Sequence, residues 1–244
     1  MIMLAAASLV IGSGAALGAL ILLKLIALAS NLFWFRHWSA ASVDIANAHV
    51  GWWVVAIPAL GSLLVGLMAR FGSEKIKGHG IPEAIEAILY GESRLSLKVA
   101  ILKPLSAAIS IGSGGPFGAE GPIIMTGGAI GSLFAQCFHL SAAERKTLLV
   151  AGAAAGMTGI FGTPLAAILL AVEVLLFEWK PRSFVPVVIA VLAAQSWRPF
   201  LLGSGPLFAF AGSTGPIAWQ TSGLALGLGV MVGLEAALLS ALLY

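Results

Sequence analysis

Apolar stretches alternate along the chain with short polar or glycine-rich segments. They run over 4–33, 50–69, 83–90, 98–111, 121–138, 147–158, 163–178, 184–202 and 220–243. A helix needs about 20 apolar residues to cross the hydrocarbon layer of a membrane, so the third, fourth and sixth stretches are too short. Irregular backbone at membrane depth is tolerated only where it is buried in protein or lines a wet cavity. The pattern predicts an all-α polytopic membrane protein with tilted and broken transmembrane helices.

Composition excludes an ordinary soluble domain. Of the 244 residues, 59% are hydrophobic and only 9% are charged, whereas soluble domains carry about 25% charged residues. The single cysteine, Cys137, excludes an intrachain disulfide and a thiolate metal cluster, and the four histidines are scattered. We therefore expect no cofactor and no metal site. The net charge of +3 gives no reason to expect a nucleic-acid partner; we expect the lipid bilayer as the surroundings.

The distribution of the few charges indicates an orientation. The segment 70–77 holds three basic residues against one acid, whereas the preceding segment 34–49 holds one of each. Basic residues are enriched in cytoplasmic loops. The sequence therefore predicts that 70–77 faces the cytoplasm.

Two segments share one pattern of glycine, proline and a following apolar run. They are GHGIPEAIEAILYG (78–91) and GAEGPIIMTGGAIG (118–131). Pro82 and Pro122 suit the first helical position, where a missing N–H does no harm, and the glycines allow a sharp turn and close approach of a ligand. A helix N-terminus carries about half a positive charge and free N–H groups, which favour an anion. The sequence predicts two helix starts that converge on one anion.

Glu120 lies at the second of these helix starts. An ionisable residue at membrane depth is expensive and points to function. When ionised, its carboxylate is able to occupy the anion site, and when protonated it is able to leave. The alternative is a carboxylate that only caps its own helix.

These motifs resemble the CLC chloride channels and chloride/proton antiporters, the voltage-gated chloride channel type. GHGIPE is similar to the first signature of that family, GAEGP to the second, and LLVAGAAAGMTGIFGTPLAAILLAVEVL (148–175) to the segment that follows. The resemblance implies an inverted-repeat bundle, a homodimer with one pore in each subunit, and a prokaryotic plasma (inner) membrane location. It also implies chloride as the transported ligand and Glu120 as the gating residue. The implied anion-binding positions are Gly78, His79, Gly80, Ile81, Pro82, Gly118, Ala119, Gly121 and Pro122.

The chain departs from the family pattern at three of its positions. His79 replaces the usual serine; either its imidazole donates to the anion or it turns towards the cytoplasm. Ala119 replaces the usual lysine or arginine, which removes a positive charge near the gate. Val174 stands where many antiporters carry an inner proton-relay glutamate, and valine carries no proton. Lys103 resembles a buried basic residue that supports the pore electrostatically; the alternative is a lysine that snorkels to the headgroups.

The resemblance also predicts how the chain is organised. We expect residues 1–203 to form the first inverted repeat of a CLC-type transmembrane domain and 204–219 to form a linker. We expect 220–244 to form the first helix of an incomplete second repeat. The expectation is therefore a first half of the subunit, from a truncated or fragmentary reading frame.

The favoured function is chloride transport through a channel-like pore, because of Val174. The alternatives are a CLC-type anion/proton exchanger, a transporter of fluoride or nitrate, and a non-conducting fragment or scaffold. An enzyme is not expected: Ser113 lacks the glycine context of an intramembrane serine protease, and the sequence contains no P-loop.

Overall fold

The computed structural model describes residues 1–48, 51–138, 140–203, 205 and 218–243. Contacts divide the chain into two units, Met1–Leu207 and Phe208–Tyr244. Of the predicted linker 204–219, only 205, 218 and 219 belong to the described residues. The helices of the first unit are α1 Ile2–Ser30, α2 Trp53–Phe71, α3 Ile81–Leu89, α4 Leu97–Gly112, α5 Glu120–Gln136, α6 Ala142–Phe161, α7 Pro164–Leu170 and α8 Pro181–Leu202. The second unit contains α9, Trp219–Leu243.

Short irregular helices extend or join these elements. A π-helical turn, Asn31–Phe35, continues α1, and a second one, Ala171–Leu176, continues α7. Short 3₁₀ turns occur at Ile45–Asn47 and Glu74–Ile76. Within the described ranges no strand occurs. The predicted all-α class is confirmed, since each apolar stretch of the sequence corresponds to a helix.

Four of the described helices are long and apolar enough to cross a membrane. They are α1 with its π-helical turn, α2, α8 and α9. The helices α3, α4 and α7 are shorter, as broken helices require. The chain therefore has the mixture of full-length and short apolar helices expected of a polytopic membrane protein.

The helix α6 is longer than its apolar run predicts. The run 147–158 has 12 residues, but the helix has 20, because it begins five residues earlier in a charged segment and ends three residues later. Ser141 accepts a hydrogen bond from the Glu144 N–H, and the Glu144 carboxylate accepts the Ser141 N–H at 3.0 Å. This reciprocal cap stabilises a polar first turn, so hydropathy alone placed the helix start too late.

The helices α5 and α6 form the centre of the first unit. Gly127 and Gly152 face each other so closely that a Cβ on either would overlap the carbonyl oxygen of the other. Small residues let membrane helices approach closely. The helices α1, α4 and α8 pack around this pair. The result is a fixed support for the beginning of α5, where the second motif lies.

Candidate functional site: the starts of α3 and α5

The first motif ends in a sharp turn that begins α3. Gly80 is buried and has φ +116°, a conformation that L side chains rarely adopt. Its carbonyl accepts the Ala84 N–H at 3.0 Å, and its own N–H donates to Glu83 Oε2 at 2.7 Å. The helix starts at Ile81, so Pro82 is the second helical residue, whereas the sequence predicts it at the first position. The missing proline N–H is still harmless, because the first four N–H groups of a helix have no partner within it.

The second motif leads from a glycine-rich turn into α5. The helix starts at Glu120, so Pro122 is its third residue, two positions later than predicted. The Ala119 carbonyl accepts the Ile123 N–H at 3.0 Å, and the Ala119 side chain packs against a small apolar cluster that includes Leu22. Gly118 is exposed and has no close neighbour.

The two helix starts touch through their backbones. A Cβ on Gly121 would overlap the His79 carbonyl oxygen and lie 2.7 Å from its carbonyl carbon. A Cβ on Gly80 would in turn lie 2.5 Å from the Gly121 carbonyl oxygen. Motifs about 40 residues apart in sequence therefore meet in space. Among the described residues, the N–H groups of Ile81, Glu120 and Gly121 have no hydrogen-bond acceptor.

The Glu120 side chain lies beside this contact. It is half-buried, and its carboxylate has neither a hydrogen bond nor an ion pair within the described part of the chain. It does not cap α5 in the way that Glu144 caps α6. Within the described residues, a carboxylate without a bonding partner therefore lies at the first residue of α5, next to N–H groups that have no acceptor.

The His79 side chain is exposed, yet it packs against the second motif. A Cβ on Gly121 would lie 2.8 Å from Nδ1 of the imidazole. The ring is therefore at the junction of the two helix starts. Of its neighbours in the motif, Gly78 and Pro82 are exposed and Ile81 is half-buried.

Lys103 is buried behind the first motif. Its side chain projects from α4, and the residue is only 2% exposed. The ammonium donates to the carbonyl oxygens of Ile76 at 3.0 Å and Gly78 at 2.9 Å. The side chain thus ends inside the protein, not at its periphery. It holds in place the segment that precedes α3.

The segment after α7 carries the two remaining residues of interest. Val174 is half-buried and packs against the central apolar cluster. Glu173 is exposed, and it makes no hydrogen bond or ion pair within the described residues. Neither residue offers a buried carboxylate to the helix starts.

Glu83 is a site residue that the sequence reading missed. Its carboxylate accepts the Gly80 N–H and lies so close to Gly78 that a Cβ there would overlap Oε1. An acid three residues after a helix N-cap is a known signal for such a bond. The signal was easy to overlook, because the N-cap residue is a glycine with no side chain to reciprocate.

A polar cleft opens beside the first motif. It has a volume of about 440 Å³ and lies between α3, the 74–77 segment and the beginning of α4. Its lining includes Lys77, Glu83 and Glu86. Since Glu83 is the third residue of α3, the cleft reaches the first turn of α3 beside the 74–77 segment.

Comparison with known proteins identifies the family. The family model described as voltage gated chloride channel matches residues 60–244. The chain belongs to the voltage-gated chloride channel (CLC) family. The CLC resemblance of the two motifs is thereby confirmed, and the chain is an integral membrane protein.

Individual relatives show how much of a CLC protein is present. The voltage-gated ClC-type chloride channel ClcB of Yersinia pseudotuberculosis is 31% identical over 202 residues, which are 82% of this chain and 48% of that protein. The H(+)/Cl(-) exchange transporter ClcA of Cronobacter sakazakii is 37% identical over 132 residues, or 52% of this chain and 28% of that one. The chain spans about half the length of the curated relatives it matches first.

A solved CLC structure shares the fold. A slow cyanobacterial Cl-/H+ antiporter superposes with a TM-score of 0.75 at 20% identity, over 95% of this chain and 54% of the other. At this identity the likeness shows the fold alone. The order and packing of the helices are therefore those of one part of a CLC subunit.

Proposed function

We propose that this chain forms part of a transmembrane path for chloride or another small anion, gated by Glu120. The observation that supports this proposal is the contact of the two helix starts at His79 and Gly121. Among the described residues, N–H groups without an acceptor lie there beside the Glu120 carboxylate, which has no bonding partner. Each helix N-terminus supplies partial positive charge. The shared start is thus a place where an anion is stabilised without a lysine or arginine in direct contact.

Partial charges suit transport better than a full charge does. An ion must bind strongly enough to enter a site and weakly enough to leave it. Ala119 adds no charge at the start of α5, and the Lys103 ammonium is committed to backbone carbonyls behind the first motif. The anion is therefore held by backbone dipoles, and the ionised Glu120 carboxylate competes for the same N–H groups.

The path is channel-like in this proposal. Val174 offers no group to relay a proton, and Glu173 is exposed. The ClcA relative, named as an H(+)/Cl(-) exchange transporter, makes proton-coupled exchange the second candidate. The His79 departure leaves fluoride and nitrate as alternative anions. A homodimer in a bacterial inner membrane is the assembly we propose. The alternative is a non-conducting fragment or scaffold, which the following experiment tests.

Chloride efflux from liposomes tests the gate. The purified chain is reconstituted and efflux is followed with a chloride electrode, for the native protein, Glu120→Gln and the control Glu173→Gln. We expect native efflux to rise on acidification and Glu120→Gln to show a clearly smaller rise, because the amide does not ionise. Glu173→Gln should behave as the native protein. Absence of efflux under every anion gradient, with chloride, fluoride or nitrate, would reject conduction by this chain.

External pH measured in the same liposomes tests the coupling. An outward chloride gradient should move few protons, because no relay group accompanies Val174. Chloride-driven proton uptake at a fixed ratio to chloride would replace the channel with an exchanger.

A further inference from the structure

The start of α3 already holds an anion that belongs to the protein itself. Glu83 Oε2 accepts the Gly80 N–H at 2.7 Å, and Oε1 lies against Gly78. The carboxylate therefore takes up the N–H group that initiates the helix. An ion that approaches this helix start meets a negative charge at the place where the helix dipole would attract it.

A buried cation lies on the other side of the same turn. The Lys103 ammonium binds the Gly78 carbonyl at 2.9 Å, and it interacts electrostatically with Glu83. No direct ion pair joins the two side chains among the described residues. Lys103 thus attracts the negative carboxylate of Glu83 without a direct bond that would fix its position, so a neutral carboxyl group is held less strongly.

The polar cleft connects Glu83 with the 70–77 side of the protein. Glu83, Glu86 and Lys77 all line it. Protons and anions therefore reach Glu83 without first passing Glu120, which stands at the start of the other helix. The two helix starts each carry one carboxylate, and each carboxylate has its own surroundings.

We propose that Glu83 is a second gating carboxylate, which closes the start of α3 when ionised and opens it when a proton from the cleft neutralises it. This role rests on the proposed anion path. It requires only the transfer of one proton from water in the cleft to a carboxylate oxygen. In this proposal, protonation of Glu120 opens the start of α5, and protonation of Glu83 opens the start of α3.

Several other charged groups surround Glu83 and bear on its response. Along α3 the next acid is Glu86, and before the helix come His79 and Lys77. The neighbouring elements contribute further titratable or charged groups, namely Glu74, Lys75, Tyr90, Arg94, Lys103, Glu120 and Glu173. His79 and Glu120 are ionisable groups at the same junction, so the test must separate their effects from that of Glu83.

Chloride binding in a Glu120→Gln background makes this separation. Titration calorimetry in detergent compares the Glu120→Gln protein with two double variants, which also carry Glu83→Gln or the control Glu86→Gln. Chloride affinity is measured from neutral pH to about pH 4.5, where carboxylates take up protons. A glutamine at position 83 stands in for the neutral carboxyl group, because it has nearly the same shape and no charge to lose. Glu86 lines the same cleft but makes no bond to the helix start, so Glu86→Gln is the matched control.

The expected results differ clearly between the variants. With Glu83 present, chloride should bind about tenfold more tightly at the acid end than at neutral pH, because one like charge is removed at close range. Glu83→Gln should bind at the tighter level throughout, apart from the contribution of His79, and Glu86→Gln should follow its parent. If Glu83→Gln and its parent show the same pH profile, Glu83 only caps its helix and the proposal is wrong.

Two further outcomes keep this test separate from the proposed function. If the protein with Glu83→Gln does not fold, the Glu120→Gln protein alone tests the proposal. A chloride affinity of that protein that does not change with pH rejects Glu83 as a gate. If the native protein neither binds nor conducts chloride, fluoride or nitrate, the anion path itself is rejected, and the role of Glu83 with it. Binding with an unchanged Glu83→Gln profile rejects the second gate and leaves the path intact.

Discussion

Replacing Gly121 by alanine tests whether contact between the two helix starts creates the anion site. The added Cβ would lie 2.7 Å from the His79 carbonyl carbon, whereas ordinary contact begins at 3.4 Å. The starts of α3 and α5 must therefore separate by about 0.7 Å or more. Inserting a methyl group into well-packed structure typically costs about 1–3 kcal/mol, so we expect a lower melting temperature in detergent.

The same separation weakens anion binding by an amount that follows from Coulomb's law. A helix start with half a charge, 3 Å from a monovalent anion, contributes about 2.8 kcal/mol at an effective dielectric constant of about 20. At about 3.7 Å the contribution falls to about 2.2 kcal/mol, which corresponds to a loss of between two- and threefold in affinity. Because the clash also displaces the His79 ring, we take threefold as the lower limit of the loss.

Gly118→Ala is the matched control for this substitution. Gly118 lies in the same motif, but the nearest atom to a Cβ there is 4.0 Å away. We expect this variant to melt like the native protein and to lose much less chloride affinity than Gly121→Ala, as measured by calorimetry and liposome efflux. If Gly121→Ala and Gly118→Ala behave alike, the two starts do not form one site and the reasoning fails.

Two further predictions concern the support around the site. Lys103→Met should lower the melting temperature and weaken chloride binding, because a buried carbonyl left without its donor costs about 1–3 kcal/mol. The control Lys98→Met changes an exposed lysine on the same helix and should affect neither property. Equal effects of the two substitutions would contradict the role of the buried ammonium. In the loop before α8, hydrogen bonds from Lys180 and Ser183 hold the pKa of Glu178 below its usual value, so its stabilising contribution is present above about pH 4.3 and is lost as the pH falls through the lowered value. Ser183→Ala should therefore reduce the loss of melting temperature on acidification, and an unchanged pH profile would show that this carboxylate does not affect stability.

The sequence was sufficient for the elements and the two motifs. Apolar runs bounded by glycine, proline or charge located the helices, because hydrophobicity and helix capping are local properties. Hydropathy placed the start of α6 too late, but the sequence marks it correctly through Ser141 and Glu144, whose reciprocal cap extends the helix into polar residues. The first-turn positions of Pro82 and Pro122 were off by one and two residues, because the residues before them adopt helical conformations too.

The contacts between motifs needed the structure. Nothing local indicates that Gly121 packs on the His79 peptide, since that contact depends on how α3 and α5 are held by other helices. The partners of Lys103 were equally hidden, because the backbone carbonyls of Ile76 and Gly78 look like any others in a sequence. Glu83 was visible as a residue, but its bond to Gly80 depends on a positive φ that the sequence only permits.

The placement of Lys103 also determines the direction of a peptide dipole. A trans peptide is planar, so its C=O and N–H point in opposite directions. With the Gly78 carbonyl turned towards the ammonium, the N–H of the same peptide unit, which belongs to His79, points away from Lys103. The lysine thus orients a donor that it does not touch. An arginine would present a planar fork in place of a compact ammonium, and would turn that peptide differently while keeping the charge.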